Sequence, residues 1–231
     1  MDPRRSLVGP IGAGGVGGLT KKKARQLAIL ATLDELYPNV TCALHHSSPW
    51  ELLVATILSA QCTDERVNMV TPGLFAKYPT MTDLANAPLA EVATLVHSTG
   101  FFNNKAKNII GAAQRILTAY GGEVPQNIED LLTVPGAARK TANVVLGTCF
   151  GIASGVVVDT HVSRISQRLH LTREVTPEKI EKDLIKILPQ SRWIQFSHQL
   201  IHFGRQTCVA RKPRCGECRL AEVCTSQDKV A

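Results

Sequence analysis

The chain has 231 residues, of which 44% are hydrophobic and only 5% are aromatic. This length supports one substantial core or two small ones, and the scarcity of aromatic residues disfavours an RNA-binding sheet that stacks bases. No apolar run reaches the roughly 18 residues of a membrane span, and no signal-peptide core is found near the N-terminus. We therefore expect a soluble, intracellular, monomeric protein with no membrane partner.

The net charge of +7 is unevenly distributed. Residues 1–25 contain six basic residues and one acid, so residues 26–231 carry only +2. Residues 1–21 are interpreted as a flexible Gly-rich basic arm, because a segment with six glycines between Gly9 and Gly18 cannot build a core. An excess of basic residues favours a polyanionic partner. Since most of this excess lies in residues 1–25, such a partner would also require a basic patch in the remainder of the chain.

From Lys22 onward, apolar residues recur at helical spacing and predict an all-α fold of about ten short helices. The clearest helical segments, in chain order, are Leu27–Leu33, Leu52–Ile57, Lys105–Tyr120 before Gly121-Gly122, the start at Thr176-Pro177, and Trp193–Leu200. Only Val156-Val157-Val158 resembles a strand, and it is too short to found a sheet.

Residues 127–150 follow the pattern short helix, tight turn, longer helix. Asn127 caps a helix over Ile128–Leu132, and a second helix begins at Arg139 after a turn. The start of that helix offers unpaired N–H groups suited to a phosphate. Lys140 lies in its first turn, where the helix dipole favours a neutral, nucleophilic amine. Taken alone, the pattern also fits a plain helical hairpin with solvated basic residues.

Asp159 follows the apolar run Val156–Val158 and opens another helix. Its carboxylate suits an N-cap. It could equally face the same cleft as Lys140, one hairpin away.

The seven cysteines divide into two groups. Cys42, Cys62 and Cys149 are scattered among apolar neighbours and are predicted to be buried core thiols. The other four follow the spacing C-x6-C-x2-C-x5-C: Cys208, Cys215, Cys218 and Cys224. Since a cytosolic globule of this size needs no disulfides, these four predict a metal centre, and the uneven spacing without His favours a [4Fe–4S] cluster over zinc.

A basic collar surrounds these four cysteines, with a net charge of +4. It consists of Arg205, Arg211, Lys212, Arg214 and Arg219 against Glu217. Its charge could balance a cluster of about −2 or bind DNA phosphates, and the sequence leaves both readings open.

Three motifs together resemble the helix-hairpin-helix DNA glycosylases of the endonuclease III type, over residues 49–224. These motifs are VPGAARKTANVVL at 134–146, VDTH at 158–161, and the four-cysteine spacing. The resemblance implies two helical lobes with a DNA-binding cleft between them. The six-helix barrel lobe would span 42–152 with its hairpin at 127–150, the iron–sulfur lobe would span 22–41 plus 153–224, and 225–231 would be a tail.

The resemblance also implies an activity: removal of oxidised pyrimidines from DNA, followed by AP lyase cleavage (β-elimination) through a lysine imine. Lys140 would attack C1′ of the flipped nucleotide, and Asp159 would stabilise the positive transition state. The implied partner is double-stranded DNA containing damaged bases or abasic sites, which places the protein in the cytoplasm at the nucleoid. The implied cofactors are the [4Fe–4S] cluster and a monovalent cation at the hairpin.

Two loops match the family's DNA-intercalating segments. Gln61 is the candidate for filling the gap left by the flipped base, and Phe101 is the candidate apolar wedge, where the family commonly has Leu. The remaining predicted DNA contacts are Pro135, Gly136, Ala137, Ala138, Arg139, His161, Arg211, Lys212 and Arg214.

The chain departs from the family pattern at two places. Ala138 replaces the second glycine of Gly-x-Gly, so its methyl group would crowd a phosphate or strain the turn and weaken backbone binding. The interval from Lys140 to Asp159 is one residue longer than expected, which places an insertion near 151–155 and could shift the pocket edge.

Three other functions compete with this interpretation. One is a monofunctional adenine-mismatch-type glycosylase, which generally lacks the hairpin lysine. Another is a weakly active or non-catalytic DNA-binding paralogue, which would have no evident need of both Lys140 and Asp159. The third is a zinc-ribbon transcription factor.

Overall fold

The computed structural model describes residues 20–230, and within them it contains α-helices, three short 3-10 turns and no strand. The helices are α1 (Lys21–Leu36), α2 (Pro49–Leu58), α3 (Asp64–Lys77), α4 (Met81–Ala85), α5 (Leu89–Leu95), α6 (Phe102–Tyr120), α7 (Ile128–Leu131), α8 (Arg139–Phe150), α9 (Thr160–Arg168), α10 (Pro177–Ile187) and α11 (Trp193–Gln206). The all-α prediction is confirmed. The predicted flexible arm falls almost wholly on residues 1–19, outside the described residues.

None of the helices in the described part of the chain is long and apolar enough to cross a bilayer.

Local sequence signals set several helix boundaries. Gly121 ends α6 in the left-handed conformation, with φ of 63°, as glycine does at many helix C-termini. The Asn127 side chain accepts a hydrogen bond from Asp130 N at the start of α7, and Pro177 occupies the first turn of α10. Val156–Val158 is buried and belongs to no helix or strand, so it connects helices rather than forming a sheet.

The buried apolar side chains form two separate cores. The first is built around α2, α6 and α8, with Leu53, Ile109 and Leu146 fully buried. The second is built around α1, α9, α10 and α11, and includes Phe196 and Leu200. The fold therefore has two helical lobes.

Two ion pairs cross between the lobes. Arg205 on α11 meets Asp64 at the start of α3, with NH2 and Oδ2 2.5 Å apart, and Arg139 on α8 meets Glu181 on α10. A cleft opens between the lobes beside these contacts.

The three isolated cysteines are only partly buried, so the prediction of buried core thiols is wrong in degree. Cys42, Cys62 and Cys149 pack against the edge of the first core. Burial raises the pKa of the Cys42 and Cys149 thiols, which keeps both protonated at neutral pH.

Candidate active site

The turn between α7 and α8 depends on one glycine. Gly136 has a φ of +79°, and a Cβ there would lie 2.9 Å from Asn108 Cβ. Ala138 has ordinary extended angles, φ −70° and ψ 168°. The expectation that Ala138 strains the turn is therefore wrong, and only the crowding of a phosphate by its methyl group stays as a prediction.

The N-terminus of α8 is uncapped. Ala138 occupies the N-cap position without a side-chain acceptor, and the first backbone hydrogen bond there runs from Ala142 N to Ala138 O. The earlier N–H groups of the helix therefore point out of the turn, beside the exposed Pro135, as an anion-binding end requires. Ala137, in contrast, is buried, and its N–H already donates to Val134 O, which leaves it a packing role.

Lys140 and Asp159 line the same cleft. Lys140 is exposed in the first turn of α8, and Asp159 is half-buried at the start of α9. No ion pair joins the two side chains among residues 20–230. The lysine amine is therefore not held by the carboxylate across the cleft.

The two oxygens of Asp159 have different surroundings. Oδ1 accepts hydrogen bonds from the N–H groups of His161 and Val162, both at 2.8 Å. Within the described chain Oδ2 has no hydrogen-bond partner, while the residue lines the cleft. Asp159 can therefore cap α9 through Oδ1 and still present Oδ2 to the cleft, so the two roles that the sequence predicted for it are compatible.

Arg139 is largely committed to a contact within the protein. Its Nε lies 2.8 Å from Glu181 Oε2, and its NH2 lies 3.3 Å from Oε1. This carboxylate raises the pKa of the Arg139 guanidinium. Sequence inspection missed Glu181, because a single acid on an amphipathic helix usually faces water.

The same network fixes the segment where the insertion was predicted. Glu181 is buried and also accepts from Asn143 Nδ2 at 3.1 Å, while Asn143 Oδ1 accepts from Ser154 Oγ at 2.8 Å. A Cβ on Gly155 would lie 2.0 Å from Glu181 Oε1. Residues 151–155 are thus tied to the N-terminal half of α8 rather than looping freely.

The two candidate intercalating residues share an unusual backbone conformation. Gln61 and Phe101 are exposed and have positive φ angles of 52° and 47°, which non-glycine residues rarely adopt. Such strain costs about 1–3 kcal/mol and tends to cluster at functional sites. Buried Lys105 lies behind the Phe101 turn and donates from Nζ to Thr99 O at 2.7 Å; it was missed because lysine normally indicates a surface position.

His161 lies in the first turn of α9 and lines the outer cleft together with Gln61 and Lys140. Its ring is half-buried, and Nδ1 lies 3.3 Å from Arg164 NH2. Burial lowers the pKa of His161, so the imidazole is mainly neutral at pH 7.

The four predicted cluster ligands line one apolar cavity with Phe203 and Leu220. Four cysteines without a histidine around an apolar cavity form a donor set that fits an iron–sulfur cluster. Arg168 NH1 donates to Cys208 Sγ at 3.4 Å, as suits a thiolate ligand.

The basic collar divides into two groups. Arg205 and Arg219 form ion pairs, with Asp64 and Glu35. Arg211, Lys212 and Arg214 are exposed and form no ion pair within residues 20–230. A positive charge in contact with a cysteine sulfur is supplied by Arg168 on α9, which is not part of the collar. The side chains of Arg211, Lys212 and Arg214 are therefore available to bind phosphates.

Comparisons with known proteins agree with this geometry. Residues 54–190 match the model of the HhH-GPD superfamily base excision DNA repair proteins, and residues 208–224 match the iron–sulfur binding domain of endonuclease III. Endonuclease III of Synechocystis sp. is 58% identical over 208 residues, which cover 90% of this chain and 95% of that protein.

Two solved structures are also similar. A non-covalent endonuclease III–DNA complex matches with a TM-score of 0.83 and 42% identity, covering 90% of this chain and 96% of that one. A trapped endonuclease III–DNA covalent intermediate matches with a TM-score of 0.83 and 41% identity, covering 90% and 97%. The chain carries a [4Fe–4S] cluster site and belongs to the endonuclease III family of helix-hairpin-helix base excision DNA repair proteins.

Proposed function

We propose that this protein is a bifunctional DNA glycosylase and AP lyase that acts on oxidised pyrimidines, with Lys140 as nucleophile and Asp159 as the stabilising carboxylate. The observation that carries the proposal is the placement of an exposed amine and an unpartnered carboxylate oxygen in one cleft, each at a helix N-terminus. The trapped covalent intermediate of a 41% identical relative supports chemistry of this kind.

The reaction follows from these two groups. After the damaged nucleotide is flipped out of the duplex, the Lys140 nitrogen forms a bond to C1′ while the glycosidic C–N bond breaks and the base leaves with the electron pair and takes up a proton. Loss of the amine proton and ring opening give an imine. Removal of a proton from C2′ then expels the 3′ phosphate, and water releases the lysine.

Asp159 contributes negative charge beside the sugar while C1′ becomes positive. The two N–H groups at Oδ1 hold the carboxylate in place at the start of α9. Oδ2 then faces the sugar without having to break a hydrogen bond first.

DNA binding is assigned to three surfaces. The uncapped start of α8 would bind a phosphate, with the monovalent cation at the hairpin as a second proposed ligand. The segment 211–214 would bind another phosphate through its three unpaired basic side chains. Gln61 and Phe101 would enter the base stack from their strained turns, and His161 would contact the flipped nucleotide.

Cys208, Cys215, Cys218 and Cys224 would hold the [4Fe–4S] cluster, which when bound cross-links the chain segments around the 211–214 loop. Its assigned role is structural, because hydrolysing a glycosidic bond requires no electron. We expect the protein to act on chromosomal DNA at the nucleoid in the cytoplasm, and to work as a monomer.

Borohydride trapping on a duplex with one oxidised pyrimidine tests the proposal. The intact protein should form a covalent adduct, and Lys140→Gln should form none. Lys182→Gln, an exposed lysine on α10, is the matched control and should trap normally. Absence of an adduct from iron-loaded, DNA-binding protein would instead favour the monofunctional adenine-mismatch type or a non-catalytic paralogue.

A further inference from the structure

The cavity that contains Lys140 and Asp159 extends between α8 and α11. Gly147 of α8 faces Ile194 of α11, and a Cβ on that glycine would lie 3.1 Å from Ile194 Cγ1, so the two helices approach closely at this wall. Thr148 and His198 add polar groups to the same wall. This inner part is the space that a base would enter when C1′ reaches Lys140.

His198 presents to this space an imidazole that has no hydrogen-bond partner among the described residues. The described residues provide no hydrogen-bond partner for either ring nitrogen, and neither nitrogen is sealed off from solvent. A half-buried histidine on a packed helix normally has at least one partner for its ring. Both nitrogens are therefore available to a molecule in the cavity.

Thr148 is a second polar group without a partner. Its Oγ1 is completely buried and has no hydrogen bond within residues 20–230. Leaving such a group unsatisfied costs about 1–3 kcal/mol, and native structures usually show a reason for it. Because Thr148 Oγ1 is out of reach of a molecule in the cavity, His198 is the partnerless polar group of this wall that a ligand can contact.

The charge state of His198 suits a pyrimidine. Burial, together with the neighbouring His202, lowers the pKa of His198, so the ring is neutral at pH 7 and offers one N–H donor and one acceptor. Thymine whose 5,6 double bond has been oxidised keeps its two carbonyl oxygens and its N3–H group. A neutral imidazole can hydrogen-bond to such an edge without placing a charge beside the departing base.

We propose that His198 is a specificity-determining residue that hydrogen-bonds the flipped pyrimidine. This inference rests on the proposed function and deepens it, because it assigns recognition of the base to α11 rather than to the lobe that carries Lys140. It also separates two steps. An abasic site has no base to contact, so His198 should affect base excision and leave strand cleavage at abasic sites unchanged.

The first test compares the two steps in one set of proteins. His198→Ala should lower kcat/KM for excision of thymine glycol about 10-fold, the effect of losing one hydrogen bond of about 1.4 kcal/mol. Its rate of cleavage at an abasic site in the same duplex should stay within about twofold of the intact protein, which also reports correct folding. His198→Gln, which keeps a donor and an acceptor, should recover part of the loss, and His45→Ala, at an exposed position outside the cavity, should behave as the intact protein.

A binding measurement supplies a second readout. In a Lys140→Gln background, which stops the chemistry, we expect tighter binding to a thymine glycol duplex than to a tetrahydrofuran duplex, and adding His198→Ala should remove this preference.

An equal loss in both enzymatic steps would assign His198 a structural role, and unchanged excision would exclude a contact with the base. If the intact protein cleaves abasic sites but excises no oxidised pyrimidine, the glycosylase half of the proposed function fails together with this inference.

Discussion

The two helix starts in the cleft satisfy their N–H groups in opposite ways. α9 begins with Asp159, whose Oδ1 accepts two of them at 2.8 Å, whereas α8 begins with Ala138, which has no side-chain acceptor. Both ends carry the positive pole of a helix dipole. The capped end binds a carboxylate of the protein itself, and the uncapped end is the one that we propose binds a phosphate of the DNA.

The substitution Asp159→Asn should break one half of this comparison and produce the largest effect. Asn retains the oxygen that caps α9 but removes the charge, so we expect excision to slow about 100-fold or more while the free energy of unfolding changes by less than about 0.5 kcal/mol. Asp159→Ala should lose the cap as well and cost about 1 kcal/mol of stability. Single-turnover kinetics and urea unfolding measure the two quantities, and retention of activity in Asp159→Asn would remove the carboxylate from the mechanism.

The substitution Ala138→Asp should make α8 resemble α9. An Asp at this N-cap can accept a hydrogen bond from a backbone N–H group of the first turn, so the helix should gain about 1 kcal/mol of stability. It also places a negative charge where a phosphate would bind, so affinity for a tetrahydrofuran duplex should fall about 10-fold or more. Ala138→Gly, which removes only the methyl group, should increase affinity a few-fold. Fluorescence anisotropy measures both affinities. Equal affinity in all three proteins would mean that this helix end does not contact DNA.

Removing Glu181 should loosen the anchor of the uncapped helix. Glu181→Ala leaves the buried Asn143 Nδ2 without its acceptor, at a cost of about 1–3 kcal/mol, and should slow adduct formation because α8 carries Lys140. Glu178→Ala, at an exposed position on α10, should change stability by less than about 0.5 kcal/mol. Urea unfolding is the measurement, and similar values for the two variants would show that the network does not stabilise the fold.

The smallest effect is expected from the unpaired basic residues of the cluster lobe. Lys212→Ala should weaken binding to damaged and undamaged duplexes equally and reduce the slope of log K against log salt by about 1. Arg219→Ala, which loses an exposed ion pair with Glu35, should leave that slope unchanged. An unaltered slope in Lys212→Ala would exclude this residue from the phosphate contacts.

Much of the fold was predictable because its signals are local. The cap at Asn127 binds an N–H group three residues away, and Gly121 ends α6 through its own backbone conformation. The helical period of the apolar residues likewise depends only on near neighbours. The exact burial of Cys42, Cys62 and Cys149 was not predictable, because it depends on how much of each side chain the neighbouring helices cover.

The sequence by itself determined several helix ends, the amine and the carboxylate at two helix starts, and the four cysteines, since each of these features lies within a short stretch of chain. Only the tertiary structure decided that Arg139 binds Glu181, 42 residues away, that Arg168 meets Cys208, 40 residues away, and that His198 faces the cavity of Lys140. These contacts arise where the two lobes pack and where helices within a lobe meet. Their partners are set by distances between helices that no local pattern specifies.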